Sequence, residues 1–180
     1  ASNLIVSALF GYGSFSETSV ENSAQALFYF AFGLPAFSLI KVFSSFFFAR
    51  HDTKTPFYIS LVSVLLNILI SVLLFQKVGF IIIPIATSIS SWFNAIFLYI
   101  FSKKKDFFVF NDIFIYRFPR ILISSLIMGL IFYFLLNLLS EKLIYSENLK
   151  FIYLLLSILV ALTSYVAVSI FTKAFKMSDI

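Results

Sequence analysis

The sequence predicts an all-α fold: a polytopic transmembrane helix bundle with five full membrane-spanning helices plus the end of a sixth. Three observations lead there. Residues 22–40, 55–76, 78–102, 121–140 and 151–172 contain no Asp, Glu, Lys or Arg, and a spanning helix needs about 20 predominantly apolar residues. Hydrophobic residues make up 61% of the 180 and charged residues only 12%, against about 25% charged in soluble domains. The charges fall mostly in the connections between apolar runs, and positive charge favours alternate connections.

The elements follow in order. Residues 1–10 (ASNLIVSALF) read as the end of an apolar helix and not as a signal peptide, because no basic n-region precedes them. The chain is accordingly expected to be the C-terminal part of a longer protein. Gly11–Ser16 reads as a loop, and Thr18-x-x-Glu21 has capping-box spacing. A helix is expected from about Val20 to Ala49, bent near Gly33 and Pro35. Arg50–Pro56 is a polar connection, with Pro56 suited to the first turn of the next helix, which runs to about Phe75. Gln76–Gly79 turns the chain, and a helix with Pro84 inside it runs to about Phe101. Residues 102–118 mix Lys103, Lys104 and Lys105 with Phe and Tyr, a composition stable at a membrane surface. Two more helices, about 119–139 and 149–172, are joined by Ser140–Asn148. Three regions result: 1–101, an interfacial linker 102–118, and 119–180 with two helices and a short tail.

If the helices alternate direction, Arg50, Lys54, Lys103, Lys104, Lys105, Arg117, Arg120, Lys173 and Lys176 share one side, and Lys77, Lys142 and Lys150 the other. Nine against three makes the first side cytoplasmic, the C-terminus included. Several function classes drop out. Cysteine is absent, which removes thiolate chemistry, and with a single histidine a histidine-based metal site would need help from carboxylates, which are scattered. No triad spacing, HExxH, phosphate loop or pair of intramembrane acids is present, so no enzyme is expected. The net charge of +5 lies in no basic, aromatic-interleaved polar segment, which excludes nucleic acid as a partner.

Lys41 is the most specific signal. It stands nine residues before Arg50, about 13 Å along a helix. An ammonium at that depth either faces a bundle interior or cavity or snorkels to the headgroups. Ser60, Ser63, Asn67 and Ser71 share one helix face, as do Thr87, Ser91 and Asn94 on the next. Such stripes either join packed helices or line a transport path. Arg50, Asp52 and Lys54 are candidates for an ion-paired gate latch, or for an ordinary solvated loop. Lys103–Lys105 read as a topology determinant that attracts anionic headgroups.

Leu9-Phe10-Gly-Tyr-Gly-Ser-Phe15, Gly33-Leu-Pro35, Lys41-Val42 and Phe47-Phe-Ala-Arg-His-Asp-Thr-Lys-Thr-Pro56, in that order, resemble the MurJ/MviN family of lipid II flippases, in the multidrug/oligosaccharidyl-lipid/polysaccharide exporter superfamily. The resemblance covers residues 9–101, including Asn94. It implies the last third of a fourteen-helix transporter: the end of helix 9 and helices 10–12 in 1–101, and two additional helices in 119–180 forming a groove for a lipid tail. The implied activity is transfer of undecaprenyl-pyrophosphate-linked peptidoglycan precursor between leaflets of the bacterial inner membrane by alternating access. Lipid II, membrane lipids and the N-terminal helices of the same chain are the implied partners, and cell-wall biogenesis and cell shape the implied role. Lys41, Arg50, Asp52, Lys54, Thr55 and Pro56 match family motif positions, while His51 stands where Gln is common and Ser44-Ser45 replaces Ala-Pro. A sodium site of some members is matched by Asn67 and Thr87, but its Asp position is Ser71 here. No other cofactor is implied. Competing readings are a polysaccharide-lipid flippase or cation-coupled drug exporter of the same superfamily, and a non-transporting membrane scaffold.

Overall fold

The computed structural model describes residues 2–108, 112–143 and 149–174, which form helices joined by short turns, with no strand among them. The elements are α1 (Ser2–Phe10), α2 (Glu17–Ala31), α3 (Leu34–Phe48), α4 (Lys54–Val78), α5 (Ile82–Lys104), α6 (Asp112–Leu138) and α7 (Lys150–Phe171). Short 3-10 turns stand at Gly79–Ile81 and Ser140–Leu143. Four apolar helical segments are long enough to cross a membrane: Glu17–Phe48, Lys54–Lys104, Phe114–Leu138 and Lys150–Phe171. The second is 51 residues long, about 76 Å if straight and more than twice a bilayer core. Hydrogen bonds from Asn67 to Thr87 and from Asn94 to Ser60 fold it back on itself, so it crosses twice. The bundle of five crossings follows. The rest of the predicted connection through Asn148 and the tail beyond Ala174 lie outside the described residues.

Packing divides the chain into two compact units, Ala1–Ala24 with Phe110–Ile180 (unit 1) and Gln25–Val109 (unit 2). These units are a division by packing, distinct from the division of the chain by hydropathy at 101 and 118. Apolar runs mark where helices cross, whereas units are set by which helices share side chains, and the boundary between units falls inside α2.

Local chemistry explains the element ends. α2 starts at Glu17 and not near Val20, because the Ser16 hydroxyl accepts the Ser19 N–H at 3.2 Å and caps the helix. The expected Thr18/Glu21 box is therefore replaced by a cap two residues earlier. Gly33 and Pro35 break the long helix outright and do not merely bend it. The Gly33 N–H turns to Phe30 at 2.9 Å, and Pro35 has no N–H for the preceding turn. α4 continues to Val78, where Gly79 at φ +76° reverses the chain, a conformation that favours glycine. Pro84 lies in the first turn of α5 and not within its body, where a missing N–H costs nothing. α6 begins at Asp112, seven residues before the expected start, and carries Pro119 internally, so part of the presumed surface linker is helix.

Three helices end alike. The N–H groups of Asp52, Phe107 and Ala174 return to the carbonyls of Phe47, Ser102 and Ser169 at 3.0, 2.9 and 2.9 Å. His51, Asp106 and Lys173 supply the left-handed residue each time. Arg50, Lys103, Lys104 and Lys173 stand at these carbonyl-rich ends, where positive charge complements the helix dipole.

In unit 1, α1, α2 and the α6–α7 hairpin pack around Ala8, Leu136, Leu143 and Leu154, with Val6, Val20 and Ala24 as a second cluster. The α7 end is pinned by Lys150, 1% exposed, whose ammonium donates to the Gly11 carbonyl at 2.6 Å and lies 4.2 Å from the Tyr12 ring centre. In unit 2, Phe43 and Phe47 of α3, Ile59 of α4 and Leu98 of α5 form one core, with Tyr99, Phe107 and Phe108 against them.

Candidate functional site

The predicted site residues of α4 and α5 converge on a groove of about 370 Å³ in unit 2. Its polar wall is an uncharged ladder across the hairpin. The Asn67 amide donates to the hydroxyls of Thr87 and Ser90 at 3.1 and 3.3 Å. In return, the Asn94 amide donates from α5 to Ser60 of α4 at 3.3 Å. Thr87 and Ser90 give their own protons to the carbonyls of Ile83 and Thr87. Both hydroxyls therefore face Asn67 as acceptors, and only its amide nitrogen, not its oxygen, satisfies them. Two buried oxygens stay unpaired, Asn94 Oδ1 and Ser71 Oγ.

Sequence reasoning placed Asn67, Thr87 and Asn94 inward, and all three line the groove. Phe37 and Ile40 of α3 form its apolar wall. Lys41 is exposed and is not among the residues that line the groove, although its neighbour Ile40 and Phe37 one turn earlier are. It makes no hydrogen bond or ion pair among the described residues. The sodium-matching positions do not fit a cation. Asn67 turns its nitrogen to Thr87, and Ser71 supplies no carboxylate to offset the ion's desolvation. Among the described residues no three His, Cys, Asp or Glu gather into a metal-binding group.

A second feature stitches the broken helix to α5. At the α2–α3 break the Gly33 N–H is diverted to Phe30, leaving the Tyr29 carbonyl without its helical donor. Ser88 donates to that carbonyl at 2.7 Å, and the Trp92 indole donates to Phe32 at 2.9 Å. Ser88 and Trp92 are one turn apart and reach the break together. Gly33 makes the approach possible: a Cβ there would stand 3.0 Å from Ser88 Oγ and 3.3 Å from Ser88 Cα. Trp92 was missed from sequence, although a lone Trp four residues after Ser88 was the visible signal.

At the Lys/Arg-rich end of unit 2, Asp52 forms an ion pair with Lys105 at 2.5 Å. It also accepts the Thr55 N–H at 3.1 Å and the Thr55 hydroxyl at 2.8 Å, capping α4. Lys105 reaches the Thr55 hydroxyl as well, at 3.0 Å. The Lys105 ammonium and the two Thr55 donors hold the Asp52 carboxyl down from its ordinary 3.8 to about 2. Arg50 takes no part in that pair. Its guanidinium caps the Phe46 carbonyl at 3.2 Å and lies 4.5 Å from the Phe107 ring centre. Lys54 is exposed on the first turn of α4 and has no partner among the described residues. Lys105, read from sequence only as a topology residue, is thus the partner that Asp52 uses.

Comparison with known proteins agrees with this architecture. The family model described as lipid II flippase MurJ matches residues 1–156. The chain is 38% identical over 104 residues to the probable lipid II flippase MurJ of Rickettsia prowazekii (strain Madrid E), covering 58% of this chain and 20% of that protein. It is 32% identical over 125 residues to the protein of the same name from Rhizobium tropici, 69% of this chain and 24% of that one. With the Thermotoga maritima protein of that name the identity is 40% over 97 residues, 54% of this chain and 20% of that one. The chain therefore spans about a fifth to a quarter of the length of these relatives. By this match, and by its bundle of apolar helices, the chain belongs to the lipid II flippase MurJ family.

Proposed function

We propose that this chain is part of a flippase that moves lipid II, or a similar undecaprenyl-pyrophosphate-linked precursor, across the bacterial inner membrane by alternating access. The family match and the names of the relatives support the substrate class. The nine-to-three distribution of Lys and Arg supports a C-terminus in the cytoplasm. The observation that carries the site reading is Lys41. The wall of the nearby groove is uncharged, and the Lys41 ammonium, next in sequence to the lining residue Ile40, is exposed and carries charge that an anionic headgroup can meet. Unit 2 is braced for motion as one piece: the ladder, the Ser88–Trp92 stitch and the Asp52–Lys105 pair all join its own helices to one another. The Asp52–Lys105 pair joins the start of α4 to the end of α5 within this unit.

Lys41→Ala in the full-length protein is expected to impair flipping while membrane insertion stays intact. Lys41→Arg rescues only in part, because a planar fork replaces a compact charge. The measurement is complementation of flippase depletion with protein abundance followed in the same cells. Full complementation by Lys41→Ala at normal abundance would reduce Lys41 to a snorkelling anchor.

A further inference from the structure

Helical spacing divides α3 into three sectors. Ala36, Phe43 and Phe47 are buried against the rest of unit 2. Pro35, Leu39 and Val42 form an exposed apolar sector. Ser38, Lys41 and Ser45, at spacings of three and four, form the third, and all three are exposed. This polar track lies inside the apolar span Glu17–Phe48. An ammonium with a hydroxyl one turn to either side is costly against hydrocarbon, and such groups face a water-filled cavity or a protein interior. Two further observations favour water. α3 opens at the Gly33–Pro35 break inside the span, and interrupted helices of this kind mark polar sites in transporters. The Cα–Cβ bond of Lys41 also tilts toward the N-terminal end of α3, which is the deeper end when Arg50 stands at the cytoplasmic surface. Its stem therefore starts into the membrane, toward the turn of Ser38, and reaches cytoplasmic headgroups only by doubling back.

The two hydroxyls are free to change partner. Ser38 donates to the Leu34 carbonyl at 3.3 Å and Ser45 to the Val42 carbonyl at 2.7 Å. Both carbonyls lie within α3, where backbone N–H groups one turn on already serve them. Rotating either hydroxyl away therefore strands nothing, and a bond to an anionic oxygen is stronger than the one given up. We propose that Ser38, Lys41 and Ser45 line the aqueous path of the intact transporter as one track, in which Lys41 meets a phosphate charge and the two hydroxyls donate to phosphate oxygens. The inference rests on the headgroup role of Lys41 given above and adds Ser38 and Ser45 as positioning groups. They stand about 10 Å apart along the helix and fix how far along α3 the phosphate settles.

The test has two arms. In the first, Ser38→Cys, Leu39→Cys, Val42→Cys and Ser45→Cys are made singly in an otherwise cysteine-free full-length protein. Membrane fragments open on both sides are then treated with a charged thiol reagent, which attacks only a hydrated thiolate. Ser38→Cys and Ser45→Cys should react at least about tenfold faster than the two neighbours, because ionising a thiol requires water. Equal rates at all four positions overturn the track, whatever Lys41 does. In the second arm, lipid II binding is measured on the purified full-length protein in detergent. Ser38→Ala with Ser45→Ala should weaken it about tenfold, as for lost hydrogen bonds to a charged group. Ser38→Thr with Ser45→Thr keeps both hydroxyls and should restore it, and Ser44→Ala, off the track, should change nothing. Wild-type binding by the double alanine variant overturns the role of the hydroxyls, even where Lys41→Ala weakens binding. Wild-type binding by Lys41→Ala instead fails the reading of Lys41 and with it the phosphate assignment, and the labelling rates then show separately whether the track is hydrated.

Discussion

In unit 2 the α4–α5 hairpin is joined by neutral groups, with Asn67 and Asn94 each crossing to hydroxyls of the opposite helix. In unit 1 a buried ammonium, Lys150, joins the start of α7 to the loop after α1. The neutral ladder divides its energy into increments of about 0.6 kcal/mol per cross-helix bond, so losing one leaves the others in place. A buried cation concentrates the same task at one point, because its removal strands a buried carbonyl. The difference separates a joint that yields gradually from one that holds or fails.

Lys150 offers the largest effect. Lys150→Ala should destabilise the full-length protein by about 2–3 kcal/mol, through the unpaired Gly11 carbonyl and the lost packing. Lys150→Met restores the volume without the donor and should recover only part. Unfolding midpoints of the three proteins in detergent give the answer, and a wild-type midpoint for Lys150→Met would remove the ammonium from the comparison. Asn67→Leu is the next test, expected to cost about 0.6–1.7 kcal/mol by the same measurement, while Ile68→Leu on the lipid-accessible face should change almost nothing. Equal effects of the two would mean that the ladder is not what joins the hairpin.

The smallest effect belongs to the clasp. Asp52→Asn keeps an oxygen for the Thr55 N–H and loses only the charge, so at neutral pH the loss should stay under about 1 kcal/mol, as for exposed ion pairs. Its pH signature is sharper. The folded-state value lies below the ordinary one, so the stabilisation is fully present above about pH 4 and is lost as the pH falls toward 2. Acid titration of unfolding in that window should show a drop in the native protein that Asp52→Asn lacks.

Membrane crossings were legible in the sequence because charge-free length is a local property. The ends of α7 lie within a residue of those read from hydropathy. Asn67 and Thr87 were legible for a related reason, since helical spacing puts a stripe on one face before any partner is known. What escaped depended on partners distant in sequence. Lys105 is 53 residues from Asp52, and Trp92 is 60 from Phe32. Lys150 is 139 residues from the carbonyl it holds, and counted in the sequence only as one of three charges on the sparser side. The α2 start was misread because two overlapping cap signals, Ser16 and Thr18, lie two residues apart and only one can be used.

The three-residue turn at Gly79–Ile81 has a consequence for how the chain enters the membrane during synthesis. α4 alone would present Ser60, Ser63 and Asn67 to hydrocarbon, and α5 alone would present Thr87, Ser90 and Asn94. With so short a link, α5 follows α4 out of the ribosome within a few residues, and each supplies the partners that the other lacks. The unit that partitions into lipid is then the helical hairpin, not either helix, and a longer linker at Gly79 would expose a polar intermediate to quality-control proteolysis before the bundle had assembled.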